Sequence, residues 1–403
     1  MTRHLRDFRI LAVGLVIVAT GAGCATHTAF ARSQLNTQKT VAMLRAGQFT
    51  ALNRYYAQVQ AGYDNGSIPD ESLRSAFRHF YDDSPDLAAR YAAWVKDMPN
   101  SYVAHLARAI YYIRVGEASR GNMTIGYTSS AQLDGMDAAF ATASGELEKS
   151  LLLEKKPLLS VFYQLDIGKF EGEAAHNQTL FQSSLAIDRR NFIVREMYML
   201  TLQTAWGGST AQLKAFVADN RTAGLSARQM KDLESIVFED EAWVDEVDNR
   251  NYKRAATEYL EAAKLSADQT CLLCAGRALV AAEDFPDAAT VLTQYLARDP
   301  KSVEALTLRV YAYYKLGRNL DERRDYQRLA DLGDANSEYI LGSMYLVGQN
   351  GLPKDRQAGI RWLRRGAAQG NPSAKALLSR ALDKRYTIVA APNGVEAIRS
   401  PGS

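Results

Sequence analysis

At 403 residues, the chain is long enough for two to three domains or for one long solenoid of repeats. Its hydrophobic content of 47% is sufficient to bury a large core, and its charged content of 23% is ordinary. The formal net charge of +3 excludes the strongly basic footprint of a nucleic-acid-binding protein, so we expect no nucleic-acid partner.

Residues 1–23 have the composition of a targeting segment. Three arginines precede an apolar run over residues 10–20, which is too short to span a bilayer because a spanning helix needs about 20 apolar residues. The small residues Gly21-Ala22-Gly23 and then Cys24 follow this run. The arrangement resembles a bacterial lipoprotein signal peptide, which implies cleavage after residue 23 and lipidation of Cys24. Ordinary secretory cleavage after Ala31 is the alternative.

The residue after the cysteine indicates the membrane to which the protein is sorted. Ala25, rather than Asp, resembles the class of lipoproteins found in the outer membrane, which implies a protein that faces the periplasm. Several acyl chains on Cys24 would hold it stably, since two or more chains give firm anchoring. Residues 24–36 are small and polar, and they are predicted to form a tether.

Residues 37–247 are predicted to form a domain of consecutive helices. Apolar residues recur three and four positions apart, and clusters of Gly, Pro, Asp and Ser separate the helical segments. We find no runs with period-2 alternation, so β structure is expected to be minor. The domain resembles an uncharacterised family that often precedes helical repeats, and the resemblance rests on Trp94, Pro99, Ser101, Ala107, Arg108, Arg120-Gly121 and Trp206-Gly207-Gly208-Ser209. That family has no assigned chemistry, so the role of the domain stays open.

Repeats become recognisable from residue 248 onward. The pair Asn251-Tyr252 returns 33 residues later as Asp284-Phe285, and an Ala follows each pair at the same distance. Gly276 stands where a tetratricopeptide repeat has its packing glycine. Residues 248–332 therefore resemble tetratricopeptide repeats.

Residues 333–380 contain a repeat of a second kind. The pattern of the Sel-one-like repeat, a relative of the tetratricopeptide repeat, is met at Leu341, Gly342, Tyr345, Gly348, Asp355, Trp362, Ala367, Ala368 and Gly370. Gly359 stands where that family usually has Ala. Gly342 removes a side chain where we expect two helices to approach closely, and Asp355 is the expected N-cap of the second helix. The remaining residues, 381–403, are predicted to be a flexible tail.

These patterns predict an all-α fold. The repeat resemblances imply a right-handed α-solenoid of helical hairpins, with an irregular N-terminal half, because a single hairpin cannot bury its apolar face alone. By resemblance to tetratricopeptide repeats, the first helix of each pair lines the concave binding face. That implies a protein-binding face formed by Arg277, Tyr311, Tyr314 and Lys315, since Tyr and Arg are frequent interface anchors. Packing of the two tyrosines between helices is the alternative.

Cys271 and Cys274 lie three residues apart, on one face of a predicted helix. In an oxidising periplasm they could form a local disulfide, and lipidation would account for the third cysteine. Two small buried residues are the competing interpretation, because free Cys packs as a small hydrophobe. A redox or metal role has less support, since it needs a thioredoxin-like context or further ligands that the sequence lacks.

The sequence contains no recognisable catalytic or metal-binding motif. The five histidines are scattered, and no Gly-x-Ser-x-Gly, phosphate-binding loop or His-Glu-x-x-His pattern occurs. Adjacent acids, as in Glu239-Asp240-Glu241, usually point to solvent. We therefore predict no catalytic residues, no metal and no cofactor.

Lys354, Arg361, Arg364 and Arg365 form a basic face in the last repeat. A solvated helix face is the first interpretation, and binding of an acidic protein is the alternative.

The predicted function is that of a non-enzymatic protein–protein interaction module, an envelope-anchored repeat lipoprotein facing the periplasm. One alternative is an immunity protein that neutralises a secreted effector acting in the periplasm. A second is an envelope enzyme with a composite site. The sequence does not identify the protein partner or the oligomeric state.

Overall fold

A computed structural model describes residues 35–121, 127–266, 269–391 and 394–399. The described chain is all-α, with 19 α-helices, 75% helix and one two-stranded sheet. This confirms the predicted all-α class. Two compact units are present, one ending at Ile236 and the other beginning at Val237.

The first unit contains ten helices and the start of an eleventh. They are α1 (Thr37–Arg45), α2 (Phe49–Asp64), α3 (Asp70–Phe77), α4 (Leu87–Asp97), α5 (Tyr102–Arg120), α6 (Ser130–Leu153), α7 (Leu158–Glu171), α8 (Ala174–Ile187), α9 (Ile193–Thr201), α10 (Thr210–Asn220) and α11 (Ala227–Val247). Short 3-10 turns cover Arg78–Phe80 and Thr204–Trp206. The division between the units falls inside α11, whereas the sequence placed a domain boundary at residue 247.

Aromatic side chains form the core at the start of the first unit. Tyr56, Phe77, Phe80, Tyr91 and Trp94 are all fully buried, and neighbouring ring centroids lie 4.5–6.3 Å apart. Such rings bury a large apolar area each and so hold short, irregular helices together.

Helices α5 and α6 pack on each other along much of their length. A Cβ atom on Gly116 of α5 would lie 2.6 Å from the Phe140 ring of α6, so the approach requires glycine. Both helices are capped at their N-termini. Ser101 accepts from the Ala104 N–H, and Ser129 forms a capping box with Gln132.

The second unit continues with eight helices and a hairpin. They are α12 (Tyr252–Leu265), α13 (Thr270–Ala281), α14 (Phe285–Leu296), α15 (Val303–Lys315), α16 (Asn319–Asp331), α17 (Ala335–Val347), α18 (Arg356–Ala368), α19 (Pro372–Leu382), β1 (Tyr386–Ala391) and β2 (Gly394–Arg399). Each helix packs on the next, and α13 also contacts α15, as α17 contacts α19. Stacked helical hairpins have this pattern of neighbours.

The hairpin of α17 and α18 is held by a close crossing of two glycines. A Cβ on Gly342 would lie 3.1 Å from the Gly359 carbonyl oxygen, and a Cβ on Gly359 would lie 2.8 Å from the Gly342 carbonyl oxygen. The expected close approach at Gly342 is therefore confirmed. Asp355 caps α18 by accepting from the Ala358 N–H at 2.9 Å, as predicted. Trp362 is partly buried against the cluster of Ala330, Leu341 and Met344.

The prediction of a flexible tail over 381–403 is wrong for residues 386–391 and 394–399. These form an antiparallel β-hairpin that runs in register from the Tyr386–Arg399 pair to the Ala391–Gly394 pair. Ile388 is buried with Leu377 and Ala381 of α19, so the hairpin covers the apolar side of the last helix. The structural reason is that β1 is rich in residues that favour strands, which outweighs the Gly and Pro content of the segment.

No helix among the described residues is both long enough and apolar enough to cross a bilayer. The predicted lipidation site, Cys24, lies outside the described residues.

Candidate functional site

Three of the predicted binding residues, Tyr311, Tyr314 and Lys315, lie on α15, and together with Phe285 of α14 they form a surface that we call the α15 face. The Tyr311 and Phe285 rings meet edge to face with centroids 5.8 Å apart. The Lys315 Nζ lies 5.3 Å from the Tyr311 centroid and 5.7 Å from that of Phe285. Tyr314 is 58% exposed. The face therefore presents an aromatic ring and a cation to solvent.

The alternative was that these tyrosines pack between helices, and the structure gives a different result for each of them. Tyr311 is half-buried against Phe285, Tyr314 extends into solvent, and their neighbour Tyr313 is the tyrosine that enters the core. Neighbouring tyrosines on one helix therefore have different surroundings.

The fourth predicted binding residue, Arg277, has a different environment. Its side chain is only 13% exposed, and its guanidinium lies 3.4 Å from Glu246 and 3.5 Å from Glu304. It also donates to the Cys274 sulfur at 3.6 Å. These internal contacts bind the guanidinium within the unit, so Arg277 is not part of the α15 face.

Cys271 and Cys274 are thiols in the structure, without a bond between them. Cys271 is buried and donates to the Glu239 carboxylate at 3.3 Å. Burial raises the pKa of the Cys274 thiol to about 12, which leaves little nucleophilic thiolate at neutral pH. Cys271 matches the small-buried-residue interpretation and Cys274 is partly buried, while pairing under oxidising conditions stays a prediction.

The first unit contains an ion network that the sequence alone did not reveal. We call it the α5–α7 network; its members are Arg74, Tyr81, Arg114, Glu117, Tyr163, Asp166, Lys169 and Glu196. Arg114 of α5 binds Asp166 of α7 at 2.8 Å and Glu117 of its own helix at 2.5 Å. Lys169 lies 3.1 Å from the same Asp166 carboxylate.

Aromatic rings extend this network toward α3 and α9. Arg74 of α3 pairs with Glu196 of α9 at 2.6 Å, and its guanidinium lies 4.5 Å from the Phe162 ring centroid. The Tyr163 hydroxyl donates to that of Tyr81 at 3.2 Å. Arg114 stacks over the Tyr81 ring at 4.5 Å, so cations and rings alternate along the network.

The two carboxyl groups on Arg114 titrate in opposite directions. Burial, together with the charge of Asp166, raises the pKa of Glu117 to about 7. Burial opposes ionisation of Asp166 as well, but the charges of Lys169 and Arg114 outweigh it and lower the pKa of that carboxyl. One guanidinium thus stabilises a firmly ionised carboxylate and a second group that binds a proton near neutral pH.

Two motifs that are far apart in sequence meet at the end of this network. Arg120 lies 5.7 Å from the Trp206 ring and 5.6 Å from Phe170, while Lys169 approaches the same two rings from 5.6 and 4.6 Å. A Cβ on Gly208 would collide with the Leu202 carbonyl group, so the turn after Trp206 needs glycine. The Arg-Gly and Trp-Gly-Gly-Ser motifs therefore build one local packing unit.

The network had only a weak signal in the sequence. Charged residues recur at i, i+3 and i+6 in α5, at Arg114, Glu117 and Arg120, inside a largely apolar helix. In α7, Asp166 and Lys169 repeat the spacing. Within the described residues, no group of His, Cys, Asp and Glu is arranged to hold a metal ion.

A scan of protein-family models finds no match to the chain, and a search of curated proteins finds no relative.

Proposed function

We propose that the chain is a non-enzymatic, envelope-anchored repeat lipoprotein that binds another protein through the α15 face. The observation that carries the proposal is the 58% exposure of Tyr314 beside Lys315. Lys315 contacts two rings and forms no ion pair within the described residues. An exposed Tyr next to an uncompensated cation has the chemistry of an interface anchor, because it offers a rigid apolar ring and a charge for a partner carboxylate.

The proposed repeat class has structural support in the second unit. The neighbour pattern of α12 to α19 is that expected for stacked hairpins, and the glycine crossing of α17 and α18 suits a Sel-one-like hairpin. We propose tetratricopeptide-like repeats over residues 248–332 and a Sel-one-like repeat over residues 333–380, and this packing supports the proposal. The right-handed superhelix is part of the same proposal.

The proposed location rests on the N-terminal sequence. A basic start, a short apolar run and small residues before Cys24 support lipidation, and Ala25 supports sorting to the outer membrane.

Site-specific crosslinking tests the proposed binding face. A photoreactive residue in place of Tyr314 should capture a protein partner in intact cells, and Lys315→Glu should reduce capture by reversing the charge beside it. The matched control carries the same photoreactive residue in place of Val303, which is 50% exposed at the other end of α15. Equal capture from both positions would contradict a specific site at Tyr314.

A further inference from the structure

The charge of the chain is concentrated at its C-terminal end. Residues 354–399 hold ten Lys and Arg against three Asp and Glu, a net charge of +7. The whole chain has a net charge of only +3, so the remainder is net negative. Such an asymmetry within one chain indicates an electrostatic partner for the charged part.

Two of the three acidic residues in this segment make internal contacts, and the cations outnumber the third. Asp355 caps α18, and Asp383 pairs with Arg385 at 2.7 Å. Arg365 pairs with Glu338 of α17 at 2.8 Å, and Arg356 donates to the Ala381 carbonyl oxygen. These contacts account for the cations that are internally bound.

The other cations of α18, α19 and the adjoining loops are available to a partner. Six of them are exposed and take part in no ion pair within the described part of the chain: Lys354, Arg361, Arg364, Lys375, Arg380 and Lys384. Arg361 and Arg364 lie one turn apart on the exposed side of α18, opposite the buried Leu363 and Gly366. We call these six residues the basic cap.

Two exposed aliphatic side chains lie in the same segment of the chain as the basic cap. Leu382, at the end of α19, is 49% exposed, and Ile398 of β2 is 44% exposed. Leu382 directly precedes the Asp383-Lys384-Arg385 turn, so an apolar side chain and cations occur together at one end of α19.

We propose that the basic cap binds the anionic headgroups of a phospholipid bilayer. Long cations distributed over several elements provide charge without a shaped pocket, which suits a planar surface that has negative charge but no fixed shape. The exposed Leu382 and Ile398 can enter the boundary between headgroups and acyl chains. An acidic protein would instead favour a compact site with aromatic anchors, and in this unit those lie on the α15 face.

This contact is independent of the proposed lipid anchor, so its test uses protein without acyl chains. The mature chain, residues 24–403 with Cys24→Ser, is sedimented with vesicles of phosphatidylcholine and with vesicles that also contain phosphatidylglycerol. Sedimentation is expected only with the anionic vesicles, and it should weaken as salt is added because salt screens exposed charges.

Charge-neutralised variants locate the contact. The triple variant Arg361→Gln/Arg364→Gln/Lys375→Gln should bind anionic vesicles about 100-fold less tightly, at about fivefold for each cation removed. The matched control is Lys253→Gln/Arg298→Gln/Lys301→Gln, which removes the same charge from exposed positions of this unit outside the basic cap. It should bind nearly as well as the parent chain. Circular dichroism checks that both variants fold.

Three results would overturn the proposal. They are equal sedimentation with neutral and anionic vesicles, an equal loss of binding in the two triple variants, and binding to soluble polyglutamate as tight as binding to anionic vesicles. The last result would assign the basic cap to an acidic protein. Leu382→Ser should lower vesicle binding without changing its salt dependence. An unchanged affinity would contradict the proposed insertion of Leu382 into the bilayer.

Discussion

The carboxyl group of Glu117 makes the folding stability of the first unit depend on pH. Its carboxyl group shares Arg114 with Asp166, and burial raises its pKa from the ordinary 4.5 to about 7. Between pH 4.5 and about pH 7, Glu117 of the folded chain therefore keeps a proton that the unfolded chain has released. The resulting contribution to stability is complete below pH 4.5 and is lost as the pH rises through 7.

We expect the variant Glu117→Gln to remove this contribution to the pH dependence. The parent chain should lose more thermal stability between about pH 5 and pH 8 than the variant does, as measured by thermal unfolding at both values. Glu148→Gln, at an exposed position of the neighbouring helix α6, is the control and should leave the difference unchanged. A variant as pH-dependent as the parent would contradict the raised pKa of Glu117.

Gly359 allows a second test at the level of single residues, in the second unit. The family that this repeat resembles usually has Ala at this position, yet a Cβ here would lie 2.8 Å from the Gly342 carbonyl oxygen. We expect Gly359→Ala to destabilise the protein by about 1–3 kcal/mol, because the backbone of α17 must move away.

Gly145→Ala is the matched control for this substitution. Gly145 lies inside α6, and apart from its chain neighbours and the backbone of its own helix no described atom comes within 4 Å of the point where an added methyl carbon would lie. Ala should therefore stabilise the protein by about 0.5–1 kcal/mol through its higher helix propensity. Both changes are measured by chemical denaturation. A stabilising effect of Gly359→Ala would show that α17 and α18 do not cross as closely as the structure places them.

Among the helices and strands, the C-terminal hairpin is the clearest difference between expectation and structure. Residues 386–389 are Tyr-Thr-Ile-Val, a strand-forming run, and Asn393-Gly394 is a common hairpin dipeptide. The strand signal was present in the sequence, but the Gly, Pro and Ser content around it indicated a tail. Contact with α19 decides the outcome, since an isolated two-stranded hairpin is only marginally stable.

Two isoleucines on opposite sides of this hairpin test its packing. Ile388 is 8% exposed and Ile398 is 44% exposed. We expect Ile388→Ala to cost about 2 kcal/mol and to accelerate hydrogen exchange of the β1 amides. Ile398→Ala should change stability by less than about 0.5 kcal/mol. Equal exchange in both variants would indicate that the hairpin does not pack on α19.

Other elements were predictable because their signals are local. The Asp355 cap and the close approach at Gly342 follow from residues within one hairpin. The α5–α7 network was not predictable, because it joins residues such as Arg74 and Glu196 that are 122 positions apart. No pattern within a single helix indicates which distant carboxylate a buried guanidinium will meet. For the same reason, the internal ion pairs of Arg277 could not be foreseen.

In the molecule as a whole, different parts of the chain have different proposed tasks. The N-terminal cysteine is the proposed anchor, the α15 face the proposed protein-binding site and the basic cap the proposed lipid contact. The first unit contributes an ion network whose charged members pair with one another.

The anchor has a direct test in cells. Cys24→Ser should move the protein from the membrane fraction to the soluble periplasmic fraction, as followed by fractionation and immunoblotting. Washing the membranes with high salt removes any residual contact through the basic cap, because that contact is electrostatic. Variant protein that stays in salt-washed membranes would contradict lipidation as the anchor.

Binding of another protein through the α15 face is the main functional proposal. The most direct measurement is a quantitative pull-down from envelope extract, comparing the parent chain with Tyr314→Ala/Lys315→Glu and with the control Val303→Ala/Lys301→Glu. We predict one dominant partner that the parent and the control retain and that the Tyr314 variant loses. A secreted effector as that partner would identify an immunity protein, and an envelope assembly would identify a scaffold. Equal recovery of the partner by all three proteins would contradict the proposal.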